Sequence, residues 1–135
     1  LTLTVAANTR YRVRAVLFFI VAGGNSTVDI KAGFTIPATL ASITYSINGP
    51  DVNITGGSQV AGQTWQGYLA QTTANSSGIV GVSNDTIVPT PVILEGILNV
   101  GATSGSVTVG WAQNTTSANA LTLKMDSYLE YMKVS

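Results

Sequence analysis

The chain contains no cysteine and no histidine. The first absence excludes disulfides, thiolate metal sites and cysteine nucleophiles. The second excludes a Ser-His-Asp triad, a histidine-based metal site and any base whose unperturbed pKa lies near neutrality. Charge is scarce too, with six Lys or Arg balancing six Asp or Glu in 135 residues. No field remains to steer nucleic acid or hold anionic lipid, so neither a nucleic-acid partner nor membrane insertion is expected. The uninterrupted apolar run at residues 15–22 falls well short of the ~20 residues of a spanning helix, and Gly23-Gly24 ends it.

What the chain has in abundance is Thr, Ser, Asn and Gly. These keep exposed faces polar without charging them, which suits a protein that packs into an assembly or works outside cells. The length fits a single domain over residues 1–135, long enough to bury about two-thirds of its unfolded surface. Its opening, LTLTV, starts in mid-pattern without Met. A processed chain, an excised domain or the ordered part of something longer is expected, and no signal or transit segment is read in it.

Residues 11–22, YRVRAVLFFIVA, form the longest run of β character. On a strand's two-residue period Tyr11, Val13, Ala15, Leu17, Phe19 and Val21 share one apolar face. The opposite face starts with Arg12 and Arg14 and turns apolar at Val16, Phe18 and Ile20. Half of this strand is therefore a sheet surface, and half requires cover on both sides. That cover is either another element of the fold or another copy of the chain.

Further strands are expected at 1–6, 27–34, 42–48, 52–55, 79–82, 92–100, 106–112, 120–125 and 128–134. Asn48-Gly49-Pro50-Asp51 reads as a turn, and residues 101–105 read as the loop of a hairpin. Val107, Val109 and Trp111 are expected to face inward, and Asp29 and Lys31 to form an exposed pair. No stretch holds a helical period for three turns. The pattern predicts an all-β protein, an antiparallel jelly-roll-type sandwich of about eight to ten strands.

Chemistry is thinly represented. A glycosidase needs two carboxylates flanking a scissile bond, and Asp29, Asp51, Asp85, Glu95, Asp126 and Glu130 are scattered and read as solvated groups. The segment beginning at Asp51 resembles the start of a calcium loop, but its twelfth position is Gly62 where a bidentate Glu is required. No enzymatic activity, cofactor or metal is expected. Tyr45, Trp65 and Tyr68 are candidate glycan contacts, because aromatic faces offer apolar area with a polar rim, although core packing also suits them. Asn25, Asn53, Asn75, Asn84 and Asn114 begin glycosylation sequons, which matter only on a eukaryotic secretory route.

Several motifs carry a resemblance. Leu94-Glu95-Gly96-Ile97-Leu98, the glycine-bounded residues 101–105, Val107-Thr108-Val109-Gly110-Trp111-Ala112-Gln113-Asn114-Thr115 and Ser127-Tyr128-Leu129 resemble a domain of tailed-phage structural proteins. Ala7-Asn8-Thr9-Arg10-Tyr11, followed by Asp29-Ile30-Lys31 and Pro37, is similar to the same domain. The resemblance implies a β-sandwich like the trimeric heads of the complement C1q and tumour-necrosis-factor type, serving as a capsid-decorating, head-fibre or tail-fibre module of a virion. In that class the terminal strands lie near the threefold axis. Val16, Phe18, Ile20, Tyr128, Leu129, Tyr131 and Met132 then become candidate oligomer-interface residues. The expected function is a non-enzymatic, homotrimeric virion protein whose partners are its own copies and other virion proteins such as capsid or tail. The alternative is a lectin-like module that binds a cell-surface glycan.

Overall fold

Alternation of apolar and polar residues gives most of the chain to strands. The computed structural model describes residues 1–22, 28–36, 41–50, 65–72, 78–81, 87–114, 116 and 118–134. Among them the strands are β1 (Thr2–Val5), β2 (Arg10–Val21), β3 (Asp29–Thr35), β4 (Ala41–Pro50), β5 (Trp65–Thr72), β6 (Gly78–Gly81), β7 (Thr90–Val100), β8 (Gly105–Gln113), β9 (Leu121–Leu123) and β10 (Tyr128–Lys133). The expected strand at 52–55 lies outside the described residues.

The pairing follows a single rule. β1 pairs with β8, β2 with β7, β3 with β6 and β4 with β5, all antiparallel, as if one long two-stranded ribbon had been rolled up. The roll is closed by β8 pairing with β3 and β7 with β4. The result is a narrow sheet, β1-β8-β3-β6, packed on a wide sheet, β10-β2-β7-β4-β5, with β9 also on β2. This is a jelly-roll sandwich whose C-terminal strands extend one edge of the wide sheet.

Three expectations are corrected by this topology. β7 and β8 are not a hairpin, because they lie in different sheets and residues 101–104 carry the chain across the sandwich. Asn48, Gly49 and Pro50 are the end of β4, paired with Gly67, Gln66 and Trp65, so the strand outlasts its turn-forming composition. No ion pair joins Asp29 to Lys31 among the described residues. Lys31 is exposed, but Asp29 is half-buried and burial raises its pKa.

The inward face of β2, from Tyr11 to Val21, meets Ile30, Phe34, Tyr45, Leu94, Leu98 and Val107 in one core. Two edge-to-face aromatic pairs tie the sheets together, Phe34 with Tyr45 at 5.2 Å and Phe19 with Trp111 at 5.1 Å between ring centroids. Trp111 thus points inward as expected, though part of its ring remains exposed at the end of the sandwich. Between β1 and β2 the chain turns through Asn8 at φ 52°, a left-handed conformation that Asn tolerates better than most residues. The turn is fixed by the Asn8 N–H donating to Gly101 O and the Ala6 N–H donating to the Tyr11 hydroxyl.

Candidate functional site

The outward face of the wide sheet takes its character from β2 and its two neighbours. Register places Met132 and Ile97 beside Arg12, Glu130 and Glu95 beside Arg14, and Tyr128 and Ile93 beside Val16. Phe18 follows beside Pro91, and Ile20 beside Thr122. The face divides into a charged half around Arg12 and Arg14 and an apolar half from Val16 onward.

In the charged half the four ionic side chains form one ladder. Arg12 donates to Glu95 Oε1 from Nε at 2.9 Å and again from Nη2. Arg14 Nη1 donates to Glu130 Oε1 at 3.2 Å, while Arg14 Nε lies 3.9 Å from Glu95 Oε2, beyond hydrogen-bond reach. The bond to Glu130, followed by the field of Tyr128, raises the pKa of Arg14. Such solvent-exposed pairs are screened by water and add little to folding. Their arrangement leaves a shallow pocket of about 420 Å³, lined by Arg12, Arg14, Glu95, Glu130, Tyr131 and Met132. The Glu95 and Glu130 carboxylates share this pocket, and Arg14 forms an ion pair with each.

The apolar half answers the question raised by β2. Val16, at 4% exposure, is covered within the protomer between Ile93 and Tyr128. Phe18 and Ile20 are half-buried. Beside them β9 gives way to β10 through Lys124-Met125-Asp126-Ser127, and this excursion leaves Met125 94% exposed. Tyr128 is 40% exposed where β10 begins. Ile87 and Val88, both exposed, immediately precede the strand that pairs with Phe18.

The remaining candidates are dispersed. Leu129 faces the interior edge and packs on the core, and Tyr131 sets its ring against Tyr11 at 5.8 Å on that same side. Met132 faces outward with the charged half. Tyr45 is 1% exposed, packed on Phe34, so it presents no face to a sugar. Trp65 and Tyr68 lie on β5, and their side chains are outside the described residues. The ladder as a whole has no local signature in the sequence, because its four members come from three strands. The one local signal is that Arg12 and Arg14 alternate on a single strand face.

Among the described residues no group of three His, Cys, Asp or Glu side chains gathers as a metal site, and no helix is long and apolar enough to cross a membrane. No protein-family model matches the chain, and no curated protein or solved structure matches it. The class defined by the fold is therefore the jelly-roll β-sandwich, here with a two-strand C-terminal extension.

Proposed function

We propose that this protein is a non-enzymatic structural module of a virus particle, a homotrimer that decorates a tailed-phage capsid or forms part of a head or tail fibre. The observation that carries the reading is the apolar half of the wide sheet's outward face. There the half-buried Phe18 and Ile20 follow Val16 and its exposed neighbour Tyr128, and the segment bonded to Phe18 through Lys124 and Ser127 leaves Met125 exposed. A second and third copy supply the cover that the protomer leaves incomplete. Zero net charge permits many copies to crowd without repulsion. The motif resemblance supports the virion setting and the threefold arrangement.

The test is solution mass by light scattering across a dilution series. A species of three times the 13.9 kDa chain mass is expected. Tyr128→Asp and Met125→Asp, both at exposed positions, should convert it to a folded monomer, and Phe18→Asp should do the same. A wild-type protein that is monomeric at every concentration, or a trimer indifferent to all three substitutions, overturns the assignment.

A further inference from the structure

We infer that the charged half of the same face is a binding site for a neutral saccharide, held by the Arg12–Glu95–Arg14–Glu130 ladder with Met132 as its apolar wall. This site lies beside the apolar half proposed for self-assembly and uses none of Phe18, Ile20, Tyr128 or Met125, so it does not rest on trimer formation.

The argument begins with charge. Two guanidinium groups and two carboxylates line the pocket, so its formal charge is zero. A phosphate, sulfate or sialic acid entering it meets Glu95 and Glu130, and an ammonium or metal cation meets Arg12 and Arg14. A neutral ligand meets neither penalty. What the ladder offers instead is alternation, acceptor beside donor beside acceptor, across β7, β2 and β10. A sugar hydroxyl both donates and accepts, and adjacent hydroxyls on a ring match such an array.

One gap in the ladder has the dimensions for this. Glu95 Oε2 and Arg14 Nε are 3.9 Å apart, too far for a direct hydrogen bond. A hydroxyl oxygen seated to one side of the pair, about 2.8 Å from each atom, donates to the carboxylate and accepts from the guanidinium. Spare capacity exists on both sides, since each Arg carries five N–H groups and each carboxylate about four acceptor sites. Arg12 commits two of its donors, both to Glu95 Oε1.

The walls also fit. Met132, 57% exposed beside Arg12, offers a polarizable apolar surface to the C–H face of a ring. On the next strand Ser46 lies in register with Glu95, and Asn48 donates to the Ser46 hydroxyl at 3.3 Å. The face therefore continues in uncharged polar groups beyond the pocket. A volume of about 420 Å³ lies within the range of small-molecule sites.

The experiment is binding of the intact protein to an array of neutral oligosaccharides printed beside sialylated and sulfated ones, followed by calorimetric titration of the best neutral probe. Binding to a neutral probe is expected. It should weaken about tenfold or more in Glu95→Gln and Arg14→Lys, because each disrupts a charge-assisted contact. Met132→Ala, outside the ion-pair chain, should weaken it without loosening β10. Thermal melts and the scattering mass, unchanged in the three variants, separate loss of ligand from loss of fold or assembly. Binding confined to acidic glycans, absence of any glycan binding, or neutral binding that survives all three substitutions overturns the proposal.

Discussion

The Ser127 hydroxyl accepts a hydrogen bond from the Phe18 N–H at 2.9 Å, while the Phe18 carbonyl accepts one from the Lys124 N–H at 2.8 Å. Along the edge of β2 these two contacts bridge the place where β9 ends and β10 has not begun. A side-chain oxygen takes the position that a strand carbonyl would have filled. The chain can then bulge outward through Met125 and Asp126 without leaving Phe18 unsatisfied.

Ser127→Ala removes that acceptor from a partly buried site. A loss of about 1–2 kcal/mol is expected, the typical cost of stranding a buried donor. Chemical denaturation measures it. Hydrogen exchange at the Phe18 amide should accelerate, whereas amides in β3 should change only with global stability. Ser127→Thr keeps the hydroxyl and should recover most of the loss.

Gly96 is fixed by close approach. A Cβ at this position would lie 2.3 Å from the Thr44 carbonyl oxygen and 2.4 Å from Tyr45 Cβ. The obstructing atoms belong to β4, so no flexible side chain can swing aside. Gly96→Ala should destabilise the fold by about 3 kcal/mol, the top of the usual range for overpacking. A melting temperature within a few degrees of wild type would contradict this.

Asn8 tests the turn between β1 and β2. At φ 52° a β-branched residue is strained, so Asn8→Val should cost about 1–2 kcal/mol. Asn8→Gly should be close to neutral, since glycine adopts this conformation without a Cβ clash. Equal stability of the two variants in urea titrations would remove the backbone explanation.

Asp29 supplies a pH dependence of known sign. Burial raises its pKa above the ordinary value of 3.8, so the folded state favours the protonated carboxyl. The penalty for ionising it is absent below 3.8 and grows as pH rises from there through the raised folded value. Asp29→Asn should therefore raise the melting temperature at pH 7 and make no such difference below pH 3.8. A stabilisation that is the same at both pH values would refute the assignment.

Much of the architecture is legible in strand alternation. The two faces of β2, the inward set Val92, Leu94, Leu98 and Val100, and the alternation of β1 all follow from a two-residue period. The segment containing Trp65 and Tyr68 was not readable as a strand. It becomes β5 by pairing with β4, where cross-strand hydrogen bonds outweigh weak local propensity. The apparent hairpin at 101–105 was misleading because a glycine-rich connection looks alike whether it reverses a chain within one sheet or carries it to another. Tyr45, an amphipathic aromatic, gives no local sign of whether it will meet solvent or Phe34.

By itself the sequence determined which residues face together along each strand, because the two-residue repeat is a local property of extended backbone. It also determined the chemistry left out, since cysteine and histidine are absent. Only the tertiary structure decided which strands lie side by side. Register between distant segments set Glu95 and Glu130 on either side of Arg14 and covered Val16 within the protomer. The same register set the exposed Tyr128 beside Val16, and the excursion after β9, bonded to Phe18 through Lys124 and Ser127, left Met125 exposed. Those outcomes depend on long-range pairing and sheet packing, in which each strand's neighbours are chosen by the whole roll.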